Sequence, residues 1–165
     1  MSSILALVGA TAAALLESTV VPYLAVGGAH SHPVLVLGVI WTIAAGVESG
    51  LVWAFAGGLA LDLFAERPLG SSAFGLLVSL AGAAALARPL ARIRPFSPVP
   101  IVFAFSLVNS LLVLIAYGAL RAPIPDPDPL RTLLPGALYD TALAALVGPL
   151  AISIRDRHVE TDSHW

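Results

Sequence analysis

Gly57-Gly58-Leu59-Ala60-Leu61-Asp62-Leu63-Phe64-Ala65-Glu66-Arg67-Pro68-Leu69-Gly70 sets an ionisable carboxylate at the end of an apolar run and then turns the chain. Upstream, back to Pro33, the only other charge is Glu48; downstream, a second apolar run extends from Ser71 to Leu86. Two apolar runs joined by a short polar turn read as consecutive membrane-crossing helices, with Asp62 at or just inside the boundary. A carboxylate costs roughly 2.5 to 3.5 kcal/mol at the centre of a membrane helix and less near an interface, so Asp62 needs a partner. Two are at hand: the Arg67 guanidinium, and the backbone donors between Pro68 and Gly70, where glycine suits a sharp reversal. Gly57 and Gly58 would let a neighbouring helix lie close beneath the carboxylate.

Composition agrees with this reading. Hydrophobic residues make up 58% of the 165-residue chain and charged residues 11%, against roughly 25% charged in an ordinary soluble domain. The apolar segments approach the roughly 20 residues that span a bilayer as a helix, and they lack the two-residue alternation of a barrel strand. The expected fold is an all-α integral membrane protein: one domain, a bundle of six transmembrane helices with short loops. There is no cysteine, which excludes disulfide, thiol and cysteine-metal chemistry. A net charge of −2 argues against a nucleic-acid partner.

The spans are expected at about 3–26, 33–46, 49–64, 71–87, 99–120 and 133–154, followed by a polar, loosely ordered tail over 155–165. The first lacks the positively charged start of a signal peptide and reads as a retained span. The stretch from Pro33 to Phe64 is 32 residues, roughly 48 Å if it were one helix, which is too long for an ordinary crossing. Gly46, Glu48, Ser49 and Gly50 at its middle point to two short helices and a tight turn; one tilted helix would reduce the count to five. Helices this short imply local thinning of the bilayer or cover by a partner. Arg121 to Arg131 reads as a stiff proline-rich loop without helix.

Arg88, Arg92 and Arg94 cluster in one short loop, which marks the cytoplasmic side by the positive-inside rule. That loop and the tail are separated by two spans and together hold five of the eight arginines. Six spans then put both termini in the cytoplasm and the Gly28, Arg67 and Arg121 loops outside.

Four polar groups fall inside the apolar runs. Glu17 is a ligand or proton site, or a carboxyl bonded to a neighbouring helix; Glu48 lies at the central turn; Asn109 offers an interhelical hydrogen bond; Asp140 follows Tyr139 in the last span. His30 and His32 could hold a metal weakly, but surface histidines beside a proline need none, and no acidic or cysteine ligand is near in sequence. With no catalytic set at membrane depth, no catalytic, cofactor or metal residues are expected.

Gly57-Gly58-Leu59-Ala60-Leu61-Asp62-Leu63-Phe64 followed by Pro68-Leu69-Gly70 resembles the bacterial rod shape-determining protein family MreD. Glu17-Ser18-Thr19 with Pro22, Pro33, Gly46 and Leu138-Tyr139-Asp140 add to the resemblance, which covers nearly the whole chain at low density. It implies a six-span protein of the bacterial inner membrane without catalytic activity or cofactor. Such a protein supports lateral peptidoglycan synthesis by binding MreC, and through it RodA, the transpeptidase of that complex and MreB. Membrane lipids are its other partners, and a homo-oligomer stays open. The family is similar in architecture to the substrate-binding subunits of energy-coupling-factor transporters, so a small-molecule-binding transporter subunit is the second reading, with Glu17, Asp62, Asn109 and Asp140 as its convergent polar groups. A proton-coupled transporter ranks below both, because no histidine or basic partner lies within the spans.

Overall fold

Proline and glycine set most of the helix boundaries. The computed structural model describes residues 2–25, 30–90, 98–122 and 129–161. The first helix, α1 (Ser2–Thr19), gives way to a 3₁₀ turn at Val21–Leu24, where Pro22 removes a donor. A proline opens α2 (Pro33–Ala45), where its missing N–H costs nothing. Next, α3 (Val47–Phe64) and α4 (Ser71–Leu90) each follow a glycine of positive φ, Gly46 at 94° and Gly70 at 91°. Prolines again open α5 (Pro98–Ala119) and α6 (Pro129–Thr161). No strand occurs among the described residues, so the fold is all-α.

Gly46 alone separates α2 from α3, and the two helices run antiparallel: Gly50 faces Thr42 near the turn and Gly57 faces Val34 at the far end. The hairpin expected from the length of this stretch is therefore present. Its first helix is short for a different reason from the one expected. Eight of the 13 residues of α2 are buried, and α2 touches all five other helices, which succeed one another around it as α1, α3, α4, α5 and α6. The chain's own helices cover α2, so its length calls for neither thinning nor a partner.

Close approach organises the ring. A side chain at Gly58 would collide with the backbone of Ala73 in α4, and one at Gly57 would press on Ala10 of α1 and Val34 of α2. Trp53 fills the space between α1 and α2, donating its indole N–H to the Val34 carbonyl at 2.9 Å and stacking on Trp41 with ring centroids 5.7 Å apart. Outside this core the helices expose large apolar side chains, among them Ile4, Leu5 and Val8 of α1, Phe74 of α4, and Leu138 and Leu146 of α6. Among the described residues, three helices, α1, α3 and α5, are long and apolar enough to cross a membrane. The chain is a membrane protein.

Several boundaries differ from those expected. The first helix stops at Thr19, and the remainder of its expected span is the 3₁₀ turn and Ala25, with Val26 outside the described residues. The last helix begins at Pro129 inside the expected loop and continues to Thr161 through most of the expected tail. No proline or glycine lies between Leu150 and Thr161, so nothing in the chain stops it there.

The two ends of the bundle are distinct. The Ser49 hydroxyl donates to the Ser2 carbonyl at 3.3 Å, which places the start of α1 beside the α2–α3 turn. Gly148, late in α6, packs against Pro98 at the start of α5. His32, Arg67, Tyr117 and Thr132 gather at the opposite end, around one cavity.

Candidate functional site

Asp62 is 1% exposed and closes the joint between α3 and α4. Its Oδ2 accepts the Gly70 N–H at 2.7 Å, and its Oδ1 accepts the Ser72 N–H at 3.0 Å and the Ser71 hydroxyl at 3.2 Å. The two amides are among those with which α4 begins and for which a helix has no partner of its own, and a negative charge there also meets the positive end of the helix dipole. The alternative partner expected from the sequence is not used. Arg67 gives only its backbone N–H, to the Asp62 carbonyl at 2.9 Å, while its guanidinium reaches the Ser72 hydroxyl at 3.3 Å. That backbone bond ends α3 as a Schellman turn, with Glu66 at a φ of 50° in the position usually held by glycine. Of the other motif residues, Pro68 supplies the carbonyl that accepts the Ser71 N–H at 3.1 Å, Leu69 is exposed and Leu59 is half-buried.

The same device recurs at the start of α2, built from distant parts of the chain. Glu17 of α1, 5% exposed, accepts the Val34 N–H on Oε2 at 3.0 Å. Asp140 of α6, fully buried, accepts the His32 N–H at 2.5 Å on Oδ1. Its Oδ2 lies 3.0 Å from His32 Nδ1 and accepts the Ser106 hydroxyl of α5 at 2.5 Å. Pro33 has no N–H, so carboxylates from two other helices satisfy the amides on either side of it. Each of the carboxylates Glu17, Asp62 and Asp140 thus caps a helix N-terminus at the same end of the bundle.

His32 corrects the expectation of a surface histidine. Its side chain is 21% exposed and forms an ion pair with Asp140 when protonated. Burial disfavours the imidazolium, but the facing Asp140 carboxylate, its hydrogen bonds and the Glu17 charge outweigh that and push His32 up to about 9. A histidine–carboxylate pair therefore lies between α2 and α6, where the sequence offered no basic partner. No local pattern could have found it, since the two residues are 108 positions apart. His30 packs its ring against His32 with centroids 5.2 Å apart, and no group of three or more metal-ligating side chains forms among the described residues.

Beside these caps lies a cavity of about 170 Å³. Its walls come from all six helices, from His30 and His32, and from the turn that carries Arg67. Glu17 and Asn109 also line it. Asn109, expected to bond between helices, is 7% exposed; its Oδ1 has no hydrogen-bond partner among the described residues and rests against Gly75, where a side chain would come within 2.7 Å of it. Glu48 stands apart from the site, exposed in the first turn of α3, where the helix dipole favours it. Arg88 falls in the last turn of α4; Arg92 and Arg94 lie outside the described residues. Comparison with models of protein families, with curated proteins and with solved structures finds no match to this chain.

Proposed function

We propose that this chain is a non-catalytic membrane scaffold of the bacterial elongation machinery, binding MreC and supporting lateral wall synthesis as its resemblance to the MreD family implies. One observation supports the reading above others. Glu17, Asp62 and Asp140, which share in that resemblance, are all consumed in capping helices of the bundle. Groups used in this way hold helices at fixed positions, which is what a scaffold requires of them. In this reading all six helices cross the inner membrane, and the end that carries the start of α1 and the end of α6 faces the cytoplasm.

The cavity with its orphaned asparagine favours a second reading, a small-molecule-binding transporter subunit. Purification of the tagged full chain from native membranes in mild detergent separates the two. MreC, a single-span protein with a periplasmic domain, is expected to copurify in stoichiometric amount; recovery of a transport ATPase in its place would reject the scaffold. Sidedness is checked with a cysteine at Ser31, clean because the chain has none of its own. It should react with an impermeant maleimide in intact spheroplasts, and labelling only after lysis would reverse the topology.

A further inference from the structure

The cavity holds two polar groups that the fold leaves under-used. Arg67 is half-buried in the lining; its guanidinium, with five N–H donors, has one hydrogen bond, to the Ser72 hydroxyl, and no ion pair within 4 Å among the described residues. Asn109, eight residues before Tyr117 on α5, also lines the cavity, and its Oδ1, shut in against Gly75, has no hydrogen-bond donor among the described residues. A buried polar group without a partner is costly, and a turn of the Asn109 side chain would bring its amide to a partner bound in the cavity. Apolar side chains make up much of the remaining lining: Leu61, Leu76, Val113, Leu114 and Leu133. A cavity of about 170 Å³ is close in size to the engineered one of ~150 Å³ that takes benzene.

We propose that this cavity binds a small amphiphilic monoanion: a charged oxygen group held by Arg67, an apolar body of about benzene's size against the leucine and valine walls, and a hydrogen-bond donor reaching Asn109. Glu17, the one carboxylate in the lining, selects against inorganic dianions, which would bring two negative charges toward it without filling the apolar walls. The same chemistry can arrive as a soluble organic acid or as the headgroup region of an anionic lipid. The site stands whether or not the chain is a scaffold, since none of its residues is assigned to partner binding.

The test uses the purified full chain in dodecyl maltoside, with thermal unfolding followed by tryptophan fluorescence. Four probes are titrated: 4-hydroxybenzoate, dihexanoylphosphatidylglycerol, inorganic phosphate, and benzamidine as a cation of matching size. A saturable rise in Tm is expected with 4-hydroxybenzoate, the lipid or both, and none with phosphate or benzamidine. A response to the hydroxy acid alone assigns the soluble source, and a response to the lipid alone assigns the headgroup. Arg67→Gln should weaken the response at least tenfold and Arg67→Lys should restore part of it, with the Tm in the absence of probe serving as the folding control. Asn109→Leu should weaken binding of 4-hydroxybenzoate more than that of benzoate, which lacks the donor. Absence of a saturable response to both anions, an equal response to benzamidine, or a response unchanged in Arg67→Gln would overturn the proposal.

Discussion

The α3–α4 joint and the start of α2 solve one problem in two ways. Each is a helix N-terminus at the same end of the bundle, and each has its orphan amides satisfied by buried carboxylates. At the joint, Asp62 reaches donors eight to ten residues ahead in the same segment. At α2, Glu17 reaches across 17 residues and Asp140 across 108. The local clamp needs only that α3 and α4 be neighbours, whereas the distant one needs α1, α2, α5 and α6 to be assembled together. The first stabilises a hairpin; the second ties the two ends of the chain to the central helix.

The sharpest way to break this contrast is to remove each clamp in turn. Asp140→Leu strands the His32 N–H and the Ser106 hydroxyl and leaves an imidazolium buried without its counter-charge. It should cost about 3 to 5 kcal/mol, with loss of folded protein from the membrane. The pH dependence of stability isolates the histidine's share. His32 holds its proton more tightly folded, at about 9, than unfolded, where its ordinary value is 6.5. The stabilisation is therefore complete below about pH 6.5 and is lost as pH rises toward 9 and beyond, on the order of 2 kcal/mol between pH 7 and 9. Unfolding midpoints of the wild type should fall across that window and those of His32→Gln should not; a parallel fall in both would assign the pH effect elsewhere.

Asp62→Leu is expected to cost less, about 1 to 3 kcal/mol, because the α4 amides near the bundle end regain water in part. Asp62→Asn keeps an acceptor and should be milder still. A well-folded Asn variant that retains its partner yet supports no activity in cells would replace the structural role of Asp62 with one that requires ionisation. At the same joint, Gly58→Ala puts a methyl against the Ala73 backbone and should cost about 1 to 3 kcal/mol by overpacking. Gly118→Ala, with no atom within 4 Å of the added carbon, should shift stability by no more than about 1 kcal/mol, in the stabilising direction. Equal effects at these two glycines would show that the α3–α4 contact is looser than the packing described above.

What could be read from the chain follows this division between local and distant. The helices, the hairpin at Gly46 and the cap at Asp62 were legible, because apolar run lengths, prolines, glycines and donors a few residues away act within one segment. The partner of Asp62 was legible only as a choice, and the turn's donors prevailed over Arg67 because the joint already points two backbone N–H groups and the Ser71 hydroxyl at the carboxylate. Glu17 and Asp140 stood out as charges in apolar runs, but their task did not. Which helix start a carboxylate caps depends on which helices become neighbours, and α2 acquires five neighbours only in the folded bundle. The same holds for His32, which its sequence context leaves at the surface and the packing of α6 against α2 turns into an ion pair. It holds too for the cavity, whose walls come from all six helices. Membrane character and helix number thus reside in local composition and run length, whereas the central place of α2, the long-range caps and the cavity exist only where separate segments converge, since burial and charge pairing are properties of neighbours in space.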